Sequence, residues 1–411
     1  MANVDSQIQI ASAEFKRDPH SFYVWARAES PVLRIALPNG SPAYLLSRYD
    51  DVSALLKDSR FVKEAANALT ASQMKKQPWV PPVFAPLLRN MLDRDDPDHA
   101  RLRRLVQKVF TPARVETLRE RTQVRCDLLL DALESRAEFD LISEFALPLP
   151  VAVISDLLGV PEPDRVRFAR WSNTLISNTM TPFSMLRALP HMLAFVRYLR
   201  HLIVLKRRHP LDDLVSALAV RDAVGSEGDS TLSDDELLGM IAILLTAGHE
   251  TTTNLIGNGM LALIEHPKQL EQLCAQPALI DTAVEELLRF AGPVATSTNR
   301  YAKEDLELHG VSIPRGSIVL GAVESANRDE RQFDAAAALH LARDPNRHLT
   351  FGQGGHYCVG APLARMEGRI AIATLLRRMP GIRLATNAAS LAWRRGLVLR
   401  GLKAMRVTRQ R

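Results

Sequence analysis

Three cysteines, Cys126, Cys274 and Cys358, are all that 411 residues contain, and no two lie close together. That sparseness excludes a disulfide framework and a clustered zinc pattern, and it fits a reducing compartment. Aromatic residues are only 6% of the chain, and no basic run is interleaved with them, which argues against a nucleic-acid surface. Residues Met1 to Arg17 have no apolar core, so neither a signal peptide nor a membrane anchor is expected. The longest apolar run, Leu237 to Gly248, stops at His249-Glu250 and is too short to cross a bilayer. There is no internal repeat and no linker-like stretch, so residues 1–411 are expected to form one domain. Charge of one sign is also scarce in net terms, at +6. General solubility accounts for it, with a positive face toward an acidic protein as the alternative.

What is present is a large supply of core, 46% hydrophobic residues, mostly at helical spacing. The pattern predicts a mainly α protein with a small β-rich region at about 30–60 and 293–325 plus the C-terminal tail. A short helix is expected around Phe22–Ala28. Val32–Ile35 and Tyr44–Leu46 flank Pro38-Asn39-Gly40-Ser41, a hairpin signal, and helix returns over Asp50–Leu56. Phe61 to Asn90 reads as a long loop with one short helix. Residues 113–220 read as helical, with breaks near Ala137–Asp140, Gly159–Pro161 and Thr181-Pro182. Leu175, Ile176, Met180, Phe183, Met185 and Leu186 surround the last break, and 225–229 is a polar loop. Ser233-Asp234-Asp235-Glu236 is a capping box. Helical periodicity then continues to about His266, roughly 50 Å at helical rise, enough to cross the whole core.

Chemistry concentrates in Phe351-Gly352-Gln353-Gly354-Gly355-His356-Tyr357-Cys358-Val359-Gly360. The glycines let the backbone turn tightly and let a flat ligand approach. Ala361-Pro362-Leu363 then opens a helix. Cys358 therefore sits just ahead of a helix N-terminus, where amides and the dipole favour a thiolate. In the long helix, Ala247-Gly248-His249-Glu250-Thr251-Thr252 joins a small residue to weak helix formers. A Thr hydroxyl there can bond the carbonyl one turn back. His99 and Arg103 are four apart on one helical face, as Glu286 and Arg289 are three apart on another.

The pattern F-G-x-G-x-H-x-C-x-G resembles the haem-binding loop of the cytochromes P450. The other stretches resemble further motifs of that family, in the family's order, from about residue 20 to 407. The resemblance implies the P450 fold, with a long central helix over a buried haem b. It implies Cys358 as the thiolate ligand of the haem iron, with Phe351, Gly352 and Gly360 shaping its loop. His99, Arg103, Arg300 and His356 are implied to bind the haem carboxylates, and Ala247 and Gly248 to border the oxygen-binding face. Glu250 and Thr251 resemble the acid–alcohol pair that delivers protons there. Glu286 and Arg289 match the family's buried E-x-x-R pair. The arginine that usually completes that network falls at Ala338, so the expectation is either that His340 substitutes from a shifted position or that the network has two members.

As a function, the resemblance implies a bacterial, cytoplasmic haem-thiolate monooxygenase. It would hydroxylate or epoxidise a hydrophobic polyketide or macrolide, steroid, fatty acid or terpenoid. Electrons would come from NAD(P)H through a ferredoxin and its reductase, and O2 would be the co-substrate. Ala242, Leu245, Val294, Ala295, Leu397 and Val398 are the expected pocket lining. Two other readings are a peroxide-driven peroxygenase, against which Glu250-Thr251 argues, and a non-catalytic haem protein used as a docking module, against which the intact central-helix motif argues.

Overall fold

The long helix forms because its first turn is closed on itself. Ser233 accepts a hydrogen bond from the Glu236 amide at 3.2 Å, and the Glu236 carboxylate accepts one from the Ser233 amide at 2.8 Å. Three acidic residues in that turn complement the helix dipole. The helix runs without interruption over Asp234–Glu265. Its Thr246, Thr251, Thr252 and Thr253 hydroxyls donate to carbonyls one turn back instead of breaking it. The structure is a computed structural model and describes residues 9–75, 77, 80–165, 167, 171, 182–219 and 231–409.

Ten helices are used below: α1 (Ala13–Arg17), α2 (His20–Glu29), α3 (Asp98–Val109), α4 (Arg119–Glu134), α5 (Pro148–Leu158), α6 (Pro182–Arg208), α7 (the long helix, Asp234–Glu265), α8 (Ile280–Phe290), α9 (Val323–Ala326) and α10 (Ala361–Arg378). Helix α7 packs against α5, α6, α8 and α10, so it is the axis of the largest core cluster. Two smaller apolar clusters flank the main sheet. That sheet has the order β1-β2-β8-β5-β3, with β1 Val32–Ala36, β2 Pro42–Leu46, β3 Phe61–Val62, β5 Arg300–Ala302 and β8 Ile318–Gly321. The expected hairpin is β1–β2, in register Val32↔Leu46, turning at Gly40 with φ +81°. β2 then pairs parallel with β8.

β3 departs from the sequence reading, lying inside the stretch read as loop, while β4 (Glu138–Asp140) falls at the expected break near Ala137–Asp140 and pairs with β10 (Arg406–Arg409). Three-residue strands carry no periodicity, so only their distant partners define them. The remaining strands are β6 (Leu306–Leu308), β7 (Val311–Ile313) and β9 (Ile382–Leu384). Among the described residues, Ala188–Arg208 of α6 is long and apolar enough to cross a membrane by length and composition, with mean hydropathy 1.2. Leu175, Ile176, Met180 and the 225–229 loop lie outside the described residues, as do the side chains of Phe183, Met185 and Leu186.

Candidate functional site

The cysteine loop is held by the helix that carries Glu286 and Arg289. These two are wholly buried and pair through both oxygens, at 2.7 and 2.8 Å. Arg289 also donates to the carbonyls of Asn327, Ala336 and Ala338. Asn327 in turn receives the Leu349 amide (2.7 Å) and donates to Thr350 Oγ1, which donates to Leu288 O of α8. Thus the pair fixes Leu349-Thr350, from which the loop springs. The expected gap in this network is closed differently from either alternative. Arg343 Nε reaches Glu286 Oε2 at 3.0 Å, and Asn346 donates to the same oxygen at 3.1 Å. His340 contributes only its backbone amide, and Ala338 only its carbonyl. The further side chains are Arg343, three residues beyond His340, and Asn346.

Within the loop Gly352 and Gly354 both take φ of +70°, a region closed to most side chains. The Cys358 amide donates to Phe351 O at 2.9 Å, which ties the loop across its neck. Burial pushes the Cys358 thiol up, while the amides of Gly360 and Ala361 and the charges of Arg103 and Arg365 pull it down. Arg365, to which the sequence reading gave no role, lies 4.4 Å from the Phe351 ring centre. Glu285 grips it with both oxygens, at 2.7 and 2.8 Å.

A knot of positive groups gathers beside this loop. The rings of His99 and His356 stack with centres 3.9 Å apart. Burial drives His356 down to about 2, so its ring is neutral, and His99, Arg300, Lys63 and Arg103 beside it add to that shift. His99 is buried; its Nδ1 contacts Asp96 at 3.1 Å, and its Nε2 has no partner. Arg300 spends its hydrogen bonds on the carbonyls of Phe61 and Leu56. Lys63 was missed by the sequence reading, since a lone lysine after a two-residue strand gives no signal. It is buried, donates to Thr298 Oγ1 and Asn299 O, and is held to about 8 by burial and then by Arg300. Arg103, Arg300 and Lys63 thus gather around an unpartnered buried nitrogen with Asp93 and Asp95 as the nearby carboxylates, a place suited to further anionic acceptors. The carboxylates of a haem fit that place.

On α7, one face stays open in the middle of the core. Ile243, Thr246, Ala247, Gly248 and Thr251 are exposed or half-buried while their neighbours are closed. A helix interior to the fold exposes a face only to an internal space. Cys358, Val359 and Gly360, also half-buried, precede α10, which packs on α7. Ala242 and Leu245 are buried in the core cluster. Gly248 lies on the open face, and a Cβ there would meet Ile154 Cδ1 of α5 at 2.9 Å. Glu250 is buried and reaches Arg394 of the tail at 3.5 Å, its Oε2 unpartnered. Burial raises its carboxyl, and Arg394 draws it partly back. The other expected lining residues do come together. Val398 O accepts from the amides of Ala295 (2.8 Å) and Thr296 (3.3 Å), and Val294 bridges to Leu399.

Comparison with known proteins gives the same picture. Residues 200–275 and 271–379 match the Cytochrome P450 family model. The chain is 42% identical over 406 residues, 97% of each chain, to Cytochrome P450 CYP107DY1 of Priestia megaterium. It is 42% identical over 375 residues, 90% of each chain, to the Mycinamicin IV hydroxylase/epoxidase of Micromonospora griseorubida. Its fold superposes with a TM-score of 0.90 on the Bacillus subtilis bacillaene polyketide synthase cytochrome P450 PksS, at 39% identity, covering 98% of this chain and 100% of that one.

Proposed function

Because the chain belongs to the cytochrome P450 family, and is therefore a haem-thiolate monooxygenase, we propose that Cys358 is the thiolate that holds the haem iron and that the substrate is a hydrophobic polyketide or macrolide. The observation that carries the site reading is the knot of cations beside the cysteine loop. Arg103, Arg300 and Lys63 as cations, with His99 and His356 as ring N–H donors, match the two carboxylates of one haem, and charge-assisted bonds are the strong ones. Bound haem supplies the activation of O2, chemistry no side chain here could provide.

The chain's own residues then have three tasks. Thr251, on the open face of α7, offers its hydroxyl to the oxygen side. Its bond to Ala247 O orients that hydroxyl. Glu250 Oε2, buried and unpartnered, takes up and passes on protons, and Arg394, a quarter exposed, links Oε1 toward solvent. Val294, Ala295, Leu397 and Val398 supply an apolar wall that excludes water from the reaction. Electrons come from NAD(P)H by way of a ferredoxin and its reductase. The macrolide and polyketide assignment is supported by what the two relatives above are named for.

The test is an optical titration of the purified ferric protein with macrolides, steroids and fatty acids. A macrolide or open-chain polyketide should shift the Soret band to the blue, and a response to fatty acids alone would overturn the substrate class. Cys358→Ser should abolish the thiolate spectrum and turnover together. Thr251→Ala should consume NAD(P)H at a comparable rate with severalfold less product. Unchanged coupling would remove Thr251 from proton delivery.

A further inference from the structure

The tail loop 396–400 leans on the N-terminal segment through buried charge. Gly396 N donates to Ala11 O at 3.0 Å, and Arg400 Nε donates to Lys16 O at 2.9 Å. Lys16 is only 1% exposed, and its ammonium donates to Leu397 O at 3.3 Å. On its other side Leu397 O accepts from Thr296 Oγ1 at 3.1 Å. One carbonyl thus joins α1, the tail and the 293–297 segment.

The charges that accompany this contact are few and enclosed. The Arg400 guanidinium lies 4.0 Å from the Trp393 ring centre and 3.8 Å from Glu324 Oε2. Neither Glu324 oxygen has a hydrogen bond, and the Glu324 amide donates to Ala295 O at 3.2 Å. Burial lowers Lys16 to about 8 although Glu324 pulls it upward. Lys16 and Arg400, with Arg328 farther off, thus share the Glu324 carboxylate with the buried Tyr23 phenol against it. Such a cluster stabilises poorly compared with apolar packing of the same volume, and its best-attested use is to fix a register. Here the register in question is that of Leu397 and Val398 against Val294 and Ala295.

We infer that Lys16, with Glu324 and Arg400, is a positioning residue for the substrate pocket, setting where Leu397 and Val398 stand in its wall. The inference rests on the haem-pocket reading above and deepens it. Lys16 touches neither substrate nor haem; it acts through the Leu397 carbonyl.

The test compares two iron-binding probes on ferric holoenzyme. Imidazole needs only the iron; clotrimazole, with three aryl rings, must also fit the walls. In Lys16→Met the imidazole Kd should stay within twofold, and the clotrimazole Kd should change by fivefold or more. Lys16→Arg should restore clotrimazole binding to within twofold of wild type. Glu324→Gln perturbs the cluster from the pocket side and should reproduce the pattern if Lys16→Met yields no folded holoenzyme. Equal effects on both probes, or no effect on clotrimazole, would overturn the positioning role. A wild-type spectrum that neither probe shifts would instead overturn the haem-pocket reading itself.

Discussion

Single residues divide into those a sequence displays and those only the fold reveals. Cys358, His356, Glu286 and Arg289 stand in short patterns with obligatory neighbours, and the structure places them on or behind one loop. Arg343 and Lys63 have no such pattern. Each reaches its place because the chain bends back from elsewhere, and a residue's partner across 57 positions is invisible locally. Glu285 shows how such a partner sets chemistry. Burial alone would raise its carboxyl, but the hydrogen bonds from Arg365 and His348 outweigh burial and hold it at about 2. A depressed acid adds stability that is complete above its unfolded value near ~4.3 and is lost as pH falls toward the folded one. The gap in stability between wild type and Glu285→Gln should therefore be constant above about pH 5 and close between roughly pH 4 and 2. Acid denaturation followed by circular dichroism reads it directly, and a gap that is flat throughout would separate Glu285 from that pH range.

Among elements, α7 was legible from end to end because its cap, its length and its small-residue centre are all local properties. Its open face lies where Ala247, Gly248 and Thr251 were expected, with Ile154 of α5 packed beside Gly248. The tail is the opposite case. Its strand-like pieces are short, and its position comes from contacts with α7 and the 293–297 segment. Asn258 Nδ2 donates to Arg400 O at 2.9 Å, and a Cβ on Gly401 would fall 2.0 Å from Asn254 Oδ1. Gly401→Ala should thus force the tail off α7, at a cost of about 1–3 kcal/mol typical of overpacking. Urea unfolding measures the loss. A variant as stable as wild type would mean the tail moves aside freely, and its role as a fixed wall would fail with it.

Across the whole molecule, the proposed haem-carboxylate site would make the protein and its cofactor interdependent. With no anion between them, Arg103, Arg300 and Lys63 lie close enough for their charges to oppose one another. Arg103→Gln removes one of these charges. The variant should leave the haem-free protein as stable as wild type or slightly more so, yet lower the melting temperature of the loaded protein by a few degrees, since a ligand stabilises according to its affinity. Thermal unfolding of both forms decides it; equal losses in both would make Arg103 a plain structural residue.

The contact between Lys16 and Leu397 spans 381 positions of the chain. During synthesis one end leaves the ribosome long before the other exists, and the parallel pairing of β2 with β8 waits in the same way. Contacts of such range close slowly, because the loop between them must be ordered first. The cysteine loop is translated before the tail that pairs with the 293–297 segment behind it. The wall around Val294 and Ala295 is therefore completed late in synthesis, and a messenger cut short before codon 390 would yield a cysteine loop without it.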